Sequence, residues 1–232
     1  MLPALYKREK AIYVQCPMIK AVIFDLDGTL VDTIEDIAAA VNSAFAKYGY
    51  PPRLGREMYK MVGNGMRNLI KQALPQAVSD QSIIEECASA AIKAYAEKPA
   101  VYSRAYPGID ELLVGLKSRG IPSAIISNKP DILTRMVVDA VFPGHDFRVV
   151  QGEKPGVPRK PDPDSSLEIA AVLGAKPEEV LYLGDSDVDM LMAGAAGFFS
   201  VGAAWGFRGT EELEKAGAMR IIDQPVELLS LL

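Results

Sequence analysis

The sequence has few of the residues that build disulfide frameworks, zinc sites or histidine-based catalysis. Its 232 residues include two cysteines, Cys16 and Cys87, and a single histidine, His145. Two cysteines cannot form a disulfide framework, and no cysteine and histidine have the spacing of a zinc site. His145 stands in a Pro-Gly-His-Asp sequence that is typical of a surface turn. We therefore predict a reducing, cytoplasmic setting and a chemistry without a histidine base.

Long apolar runs and an excess of positive charge are also missing. The longest apolar stretches, such as residues 21–24 and 191–201, are too short or too interrupted by glycine to span a bilayer. Lysine and arginine number 25 against 30 aspartates and glutamates, and the net charge of -5 disfavours a nucleic-acid partner. With 49% hydrophobic residues the chain can still bury a sizeable core. We predict a soluble globular protein that binds neither membranes nor nucleic acids.

The first 17 residues differ in texture from the rest of the chain. They mix charges with short apolar stretches and have no small-residue cleavage site, so they do not resemble a signal peptide. The first buried-strand pattern begins at Met18, which makes Met18 a candidate for the true start of the protein. We predict that residues 1–17 are a dispensable N-terminal extension.

Short apolar runs and helical patterns alternate over most of the chain. Runs rich in Ile, Val and Leu occur at residues 18–24, 123–127, 147–150, 180–184 and 198–201. Helical patterns occur at residues 109–119, 132–141, 164–173 and 188–196. An apolar run without polar alternation is typical of a strand buried on both faces of a parallel sheet. The sequence therefore predicts an α/β fold with a doubly wound, mostly parallel, Rossmann-like sheet.

A purely helical stretch interrupts this alternation after the first strand. Helices are predicted from residue 33 to 47 and at 56–61, 66–73 and 79–97. The sequence Thr33-x-x-Asp36 resembles a capping box that opens the first of them. We predict a core made of residues 18–32 and 100–232, with a small helical cap inserted at residues 33–99 and hinged at its ends.

Polar residues follow the predicted strands at their carboxyl ends, where parallel-sheet enzymes collect their sites. These residues are Asp25 and Asp27, Ser127 and Asn128, and Asp185 with Asp187 and Asp189. A connection rich in glycine and proline, residues 152–163, adds Arg159 and Lys160. Each feature alone has a plain structural explanation as a turn, a solvated cation or a helix cap. Their joint placement at successive strand ends favours a functional site.

The carboxylates of this set require a cation. Two unit charges about 4 Å apart repel by roughly 4 kcal/mol at an effective dielectric constant near 20, so Asp25, Asp27 and Asp185 cannot crowd together ionised without compensation. Oxygen ligands without histidine or thiolate favour a hard ion, and few protein ligands leave room for water and a phosphate. The predicted cofactor is Mg²⁺.

Such a site suits phosphoryl transfer. A carboxylate such as Asp25 can attack phosphorus and form an aspartyl-phosphate. Asp27, two residues further along extended chain, projects to the same side and is expected to protonate the leaving oxygen and then deprotonate water. The hydroxyls of Thr29 and Ser127 would hold the nonbridging oxygens, while Lys160 would bridge Asp25 and the phosphate.

Four ordered segments carry a resemblance to the haloacid dehalogenase-like hydrolase superfamily. They are FDLDGTL at 24–30, IISN at 125–128, RKPDP at 159–163 and LGDSDVDM at 183–190. The resemblance implies that Asp25 is nucleophile and metal ligand, and that Asp27 is the acid and base and binds metal through its carbonyl. It further implies that phosphate is bound by Lys160 and by the IISN segment, which contains Ser127 and Asn128. Asp185 is then a metal ligand, and Asp189 orients Lys160 or metal-bound waters. The dehalogenase branch lacks the second aspartate, so the presence of Asp27 favours phosphotransfer.

The cap contains a further, weaker match. MVGNGMRNLIKQAL at 61–74 is similar to the cap segment of phosphoglycolate phosphatases. Gly63, Asn64 and Gly65 precede a helix and can present N–H groups to an anion, and Arg67 and Lys71 share a face of that helix. We expect Gly63 to Gly65 and Arg67 to read the far end of the substrate. The alternative is a helix-to-helix turn with a solvated basic face.

The leading hypothesis is a Mg²⁺-dependent hydrolase of a small anionic phosphomonoester, with 2-phosphoglycolate as the best single substrate. A sugar phosphatase, a pyrophosphatase and a β-phosphoglucomutase-like phosphotransferase remain alternatives of the same chemistry. A phospho-accepting signalling receiver uses similar groups, but receivers carry the phosphoacceptor on a later strand than the acidic pair and have no insertion of this size. The sequence makes no prediction of the oligomeric state.

Overall fold

The protein is described here by a computed structural model of residues 18–232. The N-terminal extension predicted at residues 1–17, including Cys16, lies outside the described residues. The strands, numbered along the chain, are β1 (Ala21–Phe24), β2 (Val31–Asp32), β3 (Arg104–Ala105), β4 (Ser123–Pro130), β5 (Val149–Glu153), β6 (Val180–Gly184), β7 (Phe199–Ala203) and β8 (Arg220–Ile222).

Helices connect these strands. They are α1 (Ile34–Tyr48), α2 (Gly55–Met58), α3 (Met66–Ala73), α4 (Gln81–Glu97), α5 (Ile109–Ser118), α6 (Asp131–Val141), α7 (Asp164–Val172), α8 (Asp187–Ala196) and α9 (Thr210–Lys215). Two 3₁₀ segments, Pro177–Glu179 and Pro225–Leu231, complete the described chain. Within residues 18–232 no helix is long and apolar enough to cross a membrane.

Six of the strands form one parallel sheet in the order β5-β4-β1-β6-β7-β8. All four residues of β1 are fully buried, and they alternate between two apolar clusters. Val22 and Phe24 join the cluster that includes α1, α5 and α6, whereas Ala21 and Ile23 join the one that includes α7 and α8. Because both faces of β1 are covered, every position of the strand must be apolar. The predicted doubly wound α/β fold is confirmed.

The strand order places a topological switch point at β1. The chain runs from β1 outward to β4 and β5 on one side, and to β6, β7 and β8 on the other. In open α/β sheets a crevice forms at the carboxyl ends of the strands where the order reverses, and ligands bind there. Asp25, directly after β1, stands at this point, and its N–H donates to the carbonyl of Leu183 in β6 at 2.9 Å.

The four helices α1 to α4 lie between β2 and β3, and we call residues 33–99 the helical insertion. The antiparallel pairing of β2 with β3 joins the chain entering the insertion to the chain leaving it. The sequence did not indicate β2, β3 or β8, because strands of two or three residues are too short to show a period. The division of the chain into a core and a cap stays a prediction.

The predicted capping box at the start of α1 is wrong. Thr33 occupies the N-cap position but its side chain makes no capping hydrogen bond. Its hydroxyl donates to Asp27 at 2.7 Å instead. Asp36 accepts from the backbone N–H groups of residues 101 to 103, at 2.7 Å for Ser103, and from the Ser103 hydroxyl at 2.6 Å. Both side chains therefore bind residues outside α1 instead of the N–H groups of its first turn.

Replacement of Asp36 by alanine should loosen the connection between the two ends of the insertion. We expect Asp36→Ala to lower the free energy of unfolding by roughly 3 kcal/mol, because several buried donors lose a charged acceptor. Urea unfolding would measure the change. Asp139→Ala, at an exposed position of α6, is the matched control. A loss at Asp36 no larger than that of the control would contradict this role.

Candidate active site

The carboxyl ends of β1, β4 and β6 bring together the residues that the sequence placed at strand ends. Asp25 and Asp27 follow β1, Ser127 and Asn128 belong to the last part of β4, and Asp185 follows β6. All five are buried, Asp27 being 9% exposed and Asp185 2%. His145 is remote from this edge, since it lines a separate cavity with Ser123 at the opposite end of β4.

Lys160 lies at the centre of the site. Its ammonium donates to Asp25 at 2.7 Å, to Asp189 at 2.7 Å, to the Tyr182 hydroxyl at 3.1 Å and to the carbonyl of Ile126 at 3.2 Å. Burial alone would lower the pKa of Lys160, but Asp189 and Asp25 outweigh it and hold that pKa above its ordinary value. The ammonium of Lys160 therefore lies between two carboxylates that stabilise its charge.

Asp189 acts on Lys160 from a fixed position. One of its oxygens accepts from Lys160 and from the Tyr182 hydroxyl, and the other accepts from the N–H and hydroxyl of Ser186, at 3.1 and 2.5 Å. Burial would raise the pKa of Asp189, yet Lys160 and these hydrogen bonds keep that pKa below its ordinary value. Because both oxygens already accept two hydrogen bonds, the geometry suits a residue that orients Lys160.

Asp185 is held by neutral donors. The Thr29 hydroxyl donates to one oxygen at 3.2 Å and the Phe207 N–H to the other at 2.8 Å. The structure therefore does not bring the Thr29 hydroxyl to the phosphate position expected from the sequence, because it is directed to Asp185 and is fully buried. The Phe207 amide carried no sequence signal, since a backbone donor is not visible in side-chain chemistry.

Glycine is required where the chain leaves Asp27. Gly28 has a φ of 90°, in the left-handed region that favours glycine. A Cβ atom there would stand 2.4 Å from a carboxylate oxygen of Asp185. The close approach of this turn to Asp185 thus depends on the missing side chain.

Asp27 is bound by a lysine that the sequence analysis missed. Lys129, the residue after Asn128, donates to Asp27 at 2.9 Å and to the Tyr95 hydroxyl of α4 at 3.0 Å. Burial alone would lower the pKa of Lys129, but Asp27 and Tyr95 raise it above its ordinary value. The sequence predicted this strand only to residue 127, so the burial of Lys129 became visible only when the structure extended β4 to Pro130; a buried lysine must meet an anion.

Asn128 connects three parts of the chain. Its amide donates to the carbonyls of Gly63 and Lys160, both at 2.9 Å, and its oxygen accepts from the Lys160 N–H at 3.0 Å. These bonds occupy the side chain that the sequence assigned to phosphate binding, and they join Asn128 to Gly63 and Lys160. The Ser127 hydroxyl accepts from the Lys129 N–H at 3.2 Å and lines the cavity described next.

A cavity of about 40 Å³ opens beside these groups. The polar side chains on its wall include Asp25, Asp27, Ser127, Lys129 and Lys160. The helical insertion contributes Ile37, Val62, Gly63, Gly65, Met66 and Leu69. The cavity is thus charged on the side of the sheet and largely apolar on the side of the insertion.

The predicted recognition segment is brought to this cavity in part. Gly63 and Gly65 line it, while Asn64 is half-buried outside the lining. The structure does not bring Arg67 to the cavity, because its side chain is 48% exposed and binds Glu85 and Gln81 of α4. Met66 and Leu69 occupy the face of α3 that meets the cavity, and Arg67 lies on the opposite, solvated face together with exposed Lys71.

The site fits a divalent cation. Asp25, Asp185 and Asp189 each place one carboxylate oxygen within 4.8 Å of the others. Four buried carboxylates, those of Asp25, Asp27, Asp185 and Asp189, face two buried lysines, Lys129 and Lys160. Burial raises the pKa of Asp25 to about 7 against the opposing effect of Lys160, and burial together with Asp25 raises that of Asp185. The site is short of positive charge, and its oxygen-only donors suit Mg²⁺.

Loss of Lys160 should leave two buried carboxylates without their partner. We expect Lys160→Ala to lower the free energy of unfolding by roughly 3 to 5 kcal/mol, the usual cost of removing one member of a buried ion pair. Chemical denaturation would measure it, with Lys117→Ala at an exposed site of α5 as the control. Equal stability of the two variants would show that Asp25 and Asp189 do not depend on Lys160.

Comparison with known proteins places the chain in a family. Residues 22–203 match a family model described as haloacid dehalogenase-like hydrolase. The chain is 35% identical over 214 residues to phosphoglycolate phosphatase 1 of Pseudomonas aeruginosa, with 90% of this chain and 78% of that protein covered. It is 32% identical over 188 residues to the phosphoglycolate phosphatase of Aquifex aeolicus, with 81% of this chain and 86% of that protein covered.

Solved structures agree with these relatives. A candidate phosphoglycolate phosphatase from Lactobacillus delbrueckii subsp. bulgaricus superposes with a TM-score of 0.86 at 30% identity, covering 93% of this chain and 99% of that one. CbbY from Rhodobacter sphaeroides, solved in complex with phosphate, gives a TM-score of 0.74 at 27% identity, covering 91% and 96%. The chain belongs to the haloacid dehalogenase-like hydrolase family, as a phosphatase of the branch similar to phosphoglycolate phosphatases.

Proposed function

We propose that the protein hydrolyses 2-phosphoglycolate with Mg²⁺, through an aspartyl-phosphate formed on Asp25. The observation that carries the chemistry is the placement of Asp25 at the switch point of the sheet, 2.7 Å from Lys160 and on the wall of a small cavity. A carboxylate so held has one oxygen bound to a cation and the other available for attack.

The reaction proceeds in two halves. In the first, the carboxylate oxygen of Asp25 that Lys160 does not contact attacks phosphorus, the ester P–O bond breaks, and Asp27 gives a proton to the leaving oxygen. In the second, Asp27 takes a proton from water, the water oxygen attacks phosphorus, and the bond to Asp25 breaks to release phosphate. Both halves use the same carboxyl group as acid and then as base.

The remaining groups stabilise charge. Lys160 and the Ser127 hydroxyl both line the cavity, and they would bind the phosphoryl oxygens. Asp25, Asp185 and the main-chain carbonyl of Asp27 would hold Mg²⁺, which when bound offsets the charge of the phosphoryl oxygens and the two carboxylates. Asp189 and Asn128 keep Lys160 in position through the contacts described above.

Two observations support phosphoglycolate as the substrate. Relatives at 32% and 35% identity are named phosphoglycolate phosphatases. Gly65, at the N-cap of α3, and Met66, its first residue, line the cavity, so the positive end of the helix dipole faces it and can receive a carboxylate. We further propose that residues 33–99 act as a cap domain and that the enzyme works in the cytoplasm.

Removal of the nucleophile should stop turnover without unfolding the protein. We expect Asp25→Asn to reduce kcat by at least about a thousandfold, because the amide keeps the shape and loses the attacking oxygen anion. Asp27→Asn should also be severely impaired. Steady-state hydrolysis and a thermal melt check both, with Asp139→Asn at an exposed position of α6 as the matched control. Near-normal turnover of the Asp25 variant at an unchanged Tm would refute the assignment.

The substrate assignment is tested by a rate survey over small phosphate esters. We expect phosphoglycolate to have the highest kcat/KM, ahead of hexose phosphates, glycerol phosphate and pyrophosphate. A chelator should reduce all rates by roughly two orders of magnitude or more, and Mg²⁺ should restore them. Arg67→Ala should keep the wild-type KM for phosphoglycolate. A higher kcat/KM for a sugar phosphate or for pyrophosphate would overturn the substrate assignment but not the proposed chemistry. Rates that the chelator does not reduce would refute the requirement for a metal.

A further inference from the structure

Lys129 is a buried cation of the site that the two-step reaction above leaves without a role. It belongs to β4 and is 6% exposed, and its ammonium contacts both oxygens of Asp27, at 2.9 and 3.3 Å. It also donates to the Tyr95 hydroxyl at 3.0 Å and lies 4.2 Å from the centre of the Tyr95 ring. A desolvated lysine with these two partners is fixed in one place.

The contacts make the two oxygens of Asp27 unequal. Oδ1 accepts from the Thr33 hydroxyl at 2.7 Å and from Lys129 at 2.9 Å, whereas Oδ2 has the longer contact to Lys129 at 3.3 Å. A carboxylate oxygen with two short donors has little capacity for a third. Oδ2 is therefore the oxygen with capacity to exchange a proton, and the two donors on Oδ1 set the direction in which Oδ2 points.

Tyr95 connects this arrangement to the helical insertion. It lies on α4, is 1% exposed and ranks among the largest fully buried side chains. Its hydroxyl and Asp27 share one ammonium group, so a shift of α4 relative to the sheet changes the position of Lys129 and with it the orientation of Asp27. The three hydrogens of the Lys129 ammonium are directed to Asp27 and Tyr95.

We propose that Lys129 is a positioning residue that, together with Tyr95, holds Asp27 with Oδ2 directed at the leaving oxygen and couples that orientation to the seating of α4. The proposal rests on the proposed role of Asp27 as the acid. It predicts that loss of Lys129 weakens proton donation specifically, and not phosphoryl transfer in general.

The test compares substrates whose leaving groups differ in their need for a proton. An alkyl phosphate, the best one of the rate survey, leaves as an alkoxide that must be protonated, whereas acetyl phosphate leaves as acetate. The value of kcat/KM reports the steps up to transfer of the phosphoryl group to Asp25 and is independent of the later hydrolysis. The variants are Lys129→Met, which keeps length and removes charge, Tyr95→Phe, which keeps the ring, and Lys117→Met as an exposed control.

We expect Lys129→Met to lower kcat/KM by at least about tenfold for the alkyl ester and by less than about threefold for acetyl phosphate. The tenfold loss is smaller than the full contribution of a general acid, because Asp27 itself is still present. Tyr95→Phe should also lower kcat/KM more for the alkyl ester than for acetyl phosphate, but by a smaller factor. Lys117→Met should leave kcat/KM unchanged for both substrates. Equal losses on both substrates would overturn the proposal in favour of a purely structural role. A raised KM confined to carboxylate-bearing esters would overturn it in favour of substrate binding.

Two further outcomes separate this proposal from the one on which it rests. Asp27→Asn should show the strongest discrimination between the two substrates, and if it shows none, the assignment of Asp27 as the acid fails. If Asp27→Asn discriminates between the two substrates and Lys129→Met does not, the positioning role of Lys129 is refuted while the assignment of Asp27 as the acid stands. If Lys129→Met does not fold, Tyr95→Phe provides the test. A larger loss of kcat/KM for the alkyl ester than for acetyl phosphate would support the coupling between α4 and Asp27, and wild-type rates on both substrates would refute it.

Discussion

The burial of negative charge at the ends of β1 and β6 is the constraint on which the rest of the site depends. Asp25, Asp185 and Asp189 place carboxylate oxygens within 4.8 Å of one another, and each of these charges must be compensated by a nearby positive charge. Two lysines supply part of this compensation, since Lys160 binds both Asp25 and Asp189 and Lys129 binds Asp27. The contacts of Asp185 come from the Thr29 hydroxyl and the Phe207 N–H, which are neutral. The remaining deficit of positive charge is therefore concentrated beside Asp185, where a divalent ion would lie next to Asp25, the proposed nucleophile.

Lys129 and residues near the buried charges attach the helical insertion to the rest of the protein. Lys129 bonds Tyr95 of α4, Asn128 bonds the carbonyl of Gly63, and Arg208 donates to the carbonyl of Val62 at 2.8 Å. Tyr59 stacks on Phe207, whose N–H binds Asp185, with ring centres 5.3 Å apart. The insertion thus meets the site through residues adjacent to the catalytic groups, and the β2–β3 pair with Asp36 limits how far its two ends can separate. Seating of the insertion and order in the site are linked by these shared partners, which is the physical basis for expecting a cap that closes on the substrate.

The sequence predicts the sheet and the residues at its strand ends well, because both follow from local chemistry. A run such as Ala21 to Phe24 has to be buried on both faces, and an aspartate directly after it has to stand at the edge of the sheet. The missed features are of another kind. The hydroxyl of Thr33 suits a helix cap as well as it suits Asp27, and its choice depends on the turn at Gly28 that brings the two side chains together. The contact of the Phe207 amide with Asp185 and the pairing of β2 with β3 join segments that are separated along the chain, and no local pattern encodes them.

The contrast between Arg67 and Lys129 shows which inferences about recognition a sequence supports. Arg67 follows two glycines at a helix start, a pattern that favours anion binding, but the apolar positions of α3 are 66, 69, 70 and 73. A helix turns by about 100° per residue, so Arg67 and Lys71 fall on the face opposite to these apolar residues. Since the apolar face is the one that lines the cavity, the charges must point to solvent, and the periodicity of the sequence already predicted this orientation.

Lys129 obeys the complementary rule. It has no solvated face to occupy, because the strand around it is buried, and a charge in that position persists only beside an opposite charge. The position of a cation relative to the apolar pattern therefore discriminates between a solvated residue and one that acts in the site.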